Sequence, residues 1–235
     1  MVCGRFARWT GIDNIEEFAD LRLPSYPFPS TYNAAPQSIQ PIIRLSERTG
    51  EPEIVPALWS LVPSWVKDPK TMAFSTFNAR SEEIHLKNTF QESIQKNRRC
   101  LVPADCFYEW QTLGPKQKQP YAIGMSSGRA FAFAGLWSSW TSPDGTVVPT
   151  FTIATVTSNE LMAPIHTRMP CIVEPDEYMR WLKPCDRPPL DLLRPHATQK
   201  MRCWHVGKEV GNTRNDHPDL VKEIGVDPQL SIDFA

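Results

Sequence analysis

A handful of side chains in this sequence could do chemistry, and each stands where its type is unusual. Cys3 lies at the chain start in Met1-Val2-Cys3-Gly4-Arg5-Phe6. Removing the residues ahead of it would leave a 1,2-aminothiol, with a thiol and an α-amine on adjacent carbons, a pair that condenses readily with an aldehyde. The plainer reading of Cys3 is a small apolar residue that opens a first strand. Glu109 sits inside the apolar Phe107-Tyr108-Glu109-Trp110, and carboxylates are seldom fully buried without a partner. It either pairs with an arginine or handles a proton. His166 falls on a loop between a short helix and a strand, and its ordinary pKa near neutrality suits proton transfer; a lone histidine also serves as a surface or core residue. Asn78 and Arg80 are one residue apart, so an extended segment points both to one face. An amide beside a guanidinium can hold a phosphate and a neighbouring hydroxyl.

The remaining composition sets the frame for these groups. The chain has 235 residues, 41% of them hydrophobic, with eight tryptophans, enough for one domain with a real core. No apolar run approaches the roughly 18 residues of a membrane span. A net charge of −1 leaves nucleic-acid binding to a local concentration of arginines. The six cysteines (3, 100, 106, 171, 185, 203) include no CxxC pair and follow no secretory leader, which favours reduced intracellular thiols over disulfides or zinc. With 23 prolines, the chain should consist of many short elements joined by ordered turns.

Those elements must position the reactive groups. The pattern predicts a first helix over Thr10 to Leu23, then a proline-rich irregular stretch to Pro41 in which Asn33-Ala34-Ala35-Pro36 is an ordered loop. Strands follow at Ile42 to Leu45 and Ile54 to Trp59, separated by a Thr49-Gly50 turn. Trp65 lies on a proline-bounded loop. A helical stretch runs from about Ser81 to Asn97, broken near Asn88. Cys100 to Trp110 forms one or two buried strands closed by the polar turn at 114–120. Tyr121 to Met125 and Arg129 to Trp137 flank Ser126-Ser127-Gly128 as a hairpin. Asp144-Gly145 turns into a β-rich run, Val147 to Thr157. A short helix over Ser158 to Pro164 precedes His166, and a strand runs through Val173. Pro175 starts a helix containing Tyr178 and Trp181. A short helix near Leu190, a strand from Arg202 to Val206 and a Gly-Asn loop at 211–215 complete the pattern. Strands in hairpin-like pairs outnumber helices, so the expected fold is a single α+β domain on a mainly antiparallel, barrel-like sheet with peripheral short helices. Its core spans about 3–215, and 216–235 is a tail.

Six short motifs occur in order: Cys-Gly-Arg-Phe at 3–6, Asn-x-Ala-Pro at 33–36, Asn-Ala-Arg at 78–80, Phe-Tyr-Glu-Trp at 107–110, Ile-His-x-Arg-x-Pro at 165–170 and Val-Gly-Asn at 210–212. Together they resemble the SOS-response-associated peptidase (SRAP) family over almost the whole chain. The resemblance implies a DNA-damage protein that binds single-stranded DNA and forms a covalent thiazolidine with abasic sites through an N-terminal cysteine, with an associated self-processing peptidase activity. It assigns the catalytic roles to Cys3, Asn78, Glu109 and His166, and DNA binding to Arg5, Pro36, Trp65, Arg80, Thr155 and Arg168. It implies an intracellular monomer with no metal, cofactor or membrane partner. Two departures matter. The family's cysteine follows the initiator methionine directly, whereas here Val2 intervenes and would leave the Cys3 nitrogen in a peptide bond. Some relatives have two adjacent tryptophans where this chain has Trp65-Val66. Alternative readings are a cysteine hydrolase acting through Cys3 and His166, and a non-enzymatic reader of DNA structure or of a modified base.

Overall fold

The structure, a computed structural model, describes residues 4–11, 15–23, 28–72, 75–115 and 117–225. Cys3 and Val2 therefore lie outside the described residues, and Gly4 is the first residue seen. In chain order the described strands are β1 (Phe6–Arg8), β2 (Thr31–Ala34), β3 (Ile39–Leu45), β4 (Pro52–Trp59), β5 (Asn78–Arg80), β6 (Arg99–Ala104), β7 (Cys106–Gly114), β8 (Gln117–Met125), β9 (Phe131–Thr141), β10 (Val147–Thr157), β11 (Arg168–Pro170), β12 (Ile172–Val173) and β13 (Met201–His205). Two α-helices, α1 (Asn88–Gln95) and α2 (Tyr178–Leu182), and several 3-10 turns lie around them.

Five strands close into a barrel in the order β10-β4-β3-β6-β9, with β9 pairing back to β10. Every pairing in that ring is antiparallel except β10 with β4. Closure removes the exposed edges that an open sheet would leave. It occurs at Gly135, which pairs with Cys100 on one side and Ile153 on the other. A Cβ there would stand 2.8 Å from Cys100 Sγ and 2.9 Å from the Thr152 carbonyl oxygen, so only glycine lets the three backbones approach. The run Val147–Thr157 is rich in β-branched residues that suit a pleated, half-buried surface. Trp59 is fully buried; its Nε1 donates to the Phe77 carbonyl at 2.9 Å and its ring stacks on Phe151.

A second sheet runs β13-β8-β7-β1-β2. Its first strand is tied to the barrel by Phe6, which is fully buried and packs its ring 5.1 Å from Trp59 and 5.9 Å from Phe133. The chain start is thus anchored in the core three residues after Cys3. The outer face of this sheet carries a separate apolar cluster of Cys106, Tyr108, Ala122, Val206, Val210 and Leu220. Residues beyond 215 take part in it, so the chain packs on this sheet past the expected core boundary.

The barrel-like, mainly antiparallel expectation matches the fold, but four local expectations are corrected. Within the described residues the expected first helix is a 3-10 helix at Glu16–Leu21. The segment 81–87 is a series of turns, and the α-helix begins only at Asn88. Ser158 to Pro164 likewise forms turns. The turn at 126–128 exists, with Gly128 at φ 72° and its N–H donating to Met125 O. Its flanking strands are not a hairpin, however: β8 pairs with β7 and β13, whereas β9 pairs with β6, β10 and β12. The stretches beside the turn, Tyr121 to Met125 and Phe131 to Trp137, are apolar throughout, and that pattern carries no signal of which neighbour each strand will choose.

Candidate nucleic-acid interface and active site

Glu109 and His166 meet in one cleft. A cavity of about 430 Å³ is lined by Gly4, Arg5, Glu109, Trp110, Lys118 and His166, so its wall includes the residue that directly follows Cys3. Glu109 comes from β7, where Phe107, Glu109 and Gln111 share one face and Glu109 is only 3% exposed. Lys118 lies on β8 in the pair opposite Thr112. The sequence places Lys118 in a polar turn, because Gln117-Lys118-Gln119 carries no apolar alternation to mark a strand.

His166 follows a tight set of turns. Asn159 Oδ1 accepts from the Met162 N–H at 3.0 Å, and the His166 N–H donates to Met162 O at 2.8 Å. The Arg168 N–H donates to His166 Nδ1 at 3.1 Å, so Nδ1 is an acceptor and the neutral ring carries its proton on Nε2. Burial lowers the His166 pKa below its ordinary 6.5, which keeps the ring neutral at pH 7.

A buried relay joins the two walls of the cleft. His205 Nε2 lies 2.7 Å from Tyr121 Oη, Tyr121 Oη donates to Gln111 Oε1 at 3.0 Å, and Gln111 Nε2 donates to Pro164 O at 3.1 Å. It crosses β13, β8 and β7 and ends two residues before His166. Gln111 therefore holds the His166 turn against the strand that carries Glu109. The sequence singled out none of these three, since Gln, Tyr and His at isolated positions have no motif spacing.

The three motif arginines, Arg5, Arg80 and Arg168, divide by what they bind. Arg5 points inward: Nη1 donates to Asn33 Oδ1 at 2.9 Å and to Val210 O at 2.7 Å, and Nη2 to Gly211 O at 3.2 Å. Asn33 Nδ2 in turn donates to the carbonyls of Val210, Asn212 and Asn215. The Cys-Gly-Arg-Phe, Asn-x-Ala-Pro and Val-Gly-Asn motifs are thus one latch around the chain start. Arg80 and Asn78 share a face of β5, with Ala79 buried between them; Arg80 is exposed and Asn78 partly so. β5 runs parallel to β10 with Arg80 opposite Thr155. Arg168 is mostly buried; it grips both carboxylate oxygens of exposed Glu82 at 3.0 Å and donates to Thr155 O at 2.6 Å and Oγ1 at 3.3 Å. Thr155 is itself 1% exposed, so its contact is with Arg168 and with Ala79 O and it presents no free surface.

Neither Pro36 nor Trp65 lines the Glu109 cleft. Pro36 and Gln37 are the central residues of a turn in which the Ser38 N–H donates to Ala35 O at 3.1 Å. Gln37 has φ 72°, a left-handed conformation that this turn requires at its third position and that non-glycine residues seldom adopt. Both line a cleft of about 730 Å³ with Leu58, Val62, Met72 and Phe77. Trp65 is 62% exposed, while Val66 turns inward and its carbonyl accepts from Trp140 Nε1 at 2.6 Å. One aromatic plane, and not two, is offered to solvent here.

The described cysteines are all free thiols. Cys100, Cys106 and Cys171 are buried, and desolvation pushes their pKa values up, that of Cys171 to about 12. They are inert at neutral pH. Among the described residues no helix is long and apolar enough to cross a membrane.

The sequence profile of the SOS response associated peptidase (SRAP) family matches residues 2–213, and the chain belongs to that family. Abasic site processing protein YoqW of Bacillus subtilis is 36% identical over 94% of this chain and 99% of its own length. Abasic site processing protein HMCES of Pongo abelii is 34% identical over 86% of this chain and 69% of its own. A solved protein from Bacteroides thetaiotaomicron, 25% identical, superposes with a TM-score of 0.80 over 94% of this chain and all of that one.

Proposed function

We propose that this protein binds single-stranded DNA and protects abasic sites by a covalent thiazolidine link through Cys3, working inside the cell. The observation that carries the reading is the cleft in which Glu109, Lys118 and His166 surround Gly4, the neighbour of Cys3. Relatives named as abasic site processing proteins over nearly the full chain support it.

The chemistry follows from the groups. An abasic deoxyribose is mostly a closed hemiacetal. Opening it breaks the C1′–O4′ bond while the C1′ hydroxyl proton passes to the Glu109 carboxylate and from there to O4′; His166, neutral with its proton on Nε2, hydrogen-bonds the oxygen on which charge develops. The Cys3 α-amine, with an ordinary pKa of about 8, loses its remaining proton to Glu109 and attacks C1′. The carbinolamine loses one water, taking its proton from Glu109, and leaves an imine. The thiol adds to C1′ while its proton goes to nitrogen, which closes the five-membered ring. Asn78 positions the sugar, and Arg80 with Arg168 holds flanking phosphates. Trp65 and Pro36 offer apolar surface to unstacked bases. The amine must be free, so the scheme requires loss of both Met1 and Val2 by the self-processing activity.

Intact-mass measurement and a denaturing gel test this together. Protein whose mass begins at Cys3 should form a slow-migrating band with abasic single-stranded DNA, and Cys3→Ala should abolish it. No band from protein with a free N-terminal cysteine would sink the crosslinking step. Turnover of a peptide substrate by that same protein, lost in Cys3→Ala, would assign the site to hydrolysis alone.

A further inference from the structure

His166 rides on the loop that joins β10 to β11. Residues 158–167 form turns only, closed where the Ser158 N–H donates to Thr167 O at 3.1 Å. Asn159 ties the start of this loop to His196 O at 2.9 Å. Loops are the mobile parts of a fold, whereas a group that meets a reacting sugar must be held closely in place. The end of the loop that carries His166 therefore needs an anchor of its own.

Gln111 is placed to supply it. It is buried and lies two residues beyond Glu109 on the same face of β7, about 7 Å along the strand. Its Nε2 donates to Pro164 O at 3.1 Å. A glutamine side chain has several rotatable bonds, so one contact does not fix it; the second comes from β8. Gln111 Oε1 can only accept, so its 3.0 Å contact with Tyr121 Oη takes the single hydroxyl proton of Tyr121. Burial raises the Tyr121 pKa, which keeps that proton in place. The 2.7 Å contact between Tyr121 Oη and His205 Nε2 must then be donated by the ring, so His205 carries a proton on Nε2. The chain runs one way, from His205 on β13 through Tyr121 to Gln111 Oε1, and from Gln111 Nε2 to Pro164 O. No member can reverse without breaking the next bond.

We propose that Gln111 is a positioning residue for His166, locked by Tyr121 and His205, so that β7 sets the spacing between His166 and Glu109. The inference rests on the proposed function, in which His166 bonds an oxygen of the opening sugar and Glu109 carries protons. Gln111 is not among the described residues that line the cleft, and it acts through the loop alone.

The test uses the full chain with a free N-terminal cysteine. Abasic single-stranded DNA at saturation gives the crosslinking rate, and an undamaged oligonucleotide gives the affinity. Gln111→Met keeps the length of the side chain and removes its polar atoms, so the rate should fall about tenfold while affinity stays within about twofold. Tyr121→Phe unlocks Gln111 but leaves its bond to Pro164, and the rate should fall by about threefold. The Arg168 N–H, which donates to His166 Nδ1, should exchange with deuterium about fivefold faster in Gln111→Met. The Ile153 N–H of the barrel, bonded to Phe77 O, should exchange as in wild type. Unchanged rates, or rate and affinity falling together, would overturn the proposal. Should wild type itself form no crosslink, the reading of the site has failed and the exchange decides alone: faster exchange at Arg168 keeps Gln111 as the anchor of His166, and unchanged exchange overturns it.

Discussion

Two arginines flank the proposed reaction and are held in opposite ways. Arg5 gives its guanidinium to an amide oxygen and two backbone carbonyls within the fold. Arg168 gives its own to the exposed carboxylate of Glu82. Carbonyls of a packed loop cannot leave, so the Arg5 latch is architecture: it fixes where the chain start emerges. A solvent-facing carboxylate is exchangeable, and its two oxygens present the same bidentate face as a phosphate. In the proposed function Arg168 would be a preformed phosphate site with an internal stand-in, and Arg80, exposed and without an ion pair among the described residues, would be a site already open.

The contrast breaks first at Arg5. Arg5→Met removes the donors on Asn33, Val210 and Gly211 while keeping the length of the stem. With a free N-terminal cysteine, the crosslinking rate should fall about 100-fold, since sub-ångström placement of reacting groups is worth that much, whereas affinity for undamaged single-stranded DNA should barely move. A loss of affinity equal to the loss of rate would make Arg5 a phosphate ligand after all. Arg80→Ala should do the reverse: binding weakens alike for all sequences, and the slope of log affinity against log salt drops by about 1. Fluorescence anisotropy over a salt series measures it.

Which half of this contrast was visible in the sequence follows from how each is encoded. The latch motifs, Cys-Gly-Arg-Phe, Asn-x-Ala-Pro and Val-Gly-Asn, are legible as motifs but their mutual contact is not, because spacing along a chain does not say that Arg5 and Val210 meet across 205 residues. Asn78 and Arg80 were read correctly as one face, since alternation in a strand is local. Thr155 carries no local mark of burial; only the pairing of β10 with both β5 and β11 turns it inward. Barrel strands with β-branched or apolar runs were found at nearly their true bounds, as with Val147–Thr157. The pairing of β8 and β9 was missed because a turn fixes proximity at its tip and nothing beyond. Gln111, Tyr121 and His205 were invisible, being single polar residues whose meaning is a three-strand alignment.

Glu82 tests the stand-in directly. Glu82→Gln leaves a neutral amide beside Arg168 and frees the guanidinium for phosphate, so DNA affinity should rise by about two- to fivefold, the scale of an exposed ion pair. Unchanged or weaker binding would mean that Glu82 and DNA do not compete.

The smallest effect separates the two arginines by pH. Hydrogen bonding from Arg168 holds the Glu82 carboxyl below its ordinary value of 4.5. The folded clasp thus binds fewer protons than the unfolded chain, and its contribution to stability is complete above pH 4.5 and disappears as pH falls through the lowered folded value. Glu82 is more than half exposed, so solvent screening limits the amount to about 0.2–1 kcal/mol. His166 and His196, both lowered below 6.5 by burial, act with the same sign in a higher window, losing stability as pH falls below 6.5. The Arg5 latch has only amide and carbonyl acceptors and nothing that titrates. Urea midpoints for wild type and Glu82→Gln should therefore differ at pH 7 and converge toward pH 3, while the deficit of Arg5→Met stays constant over the same range. A deficit of Arg5→Met that also shrank with acid would place a titrating group in the latch and dissolve the distinction between the two arginines.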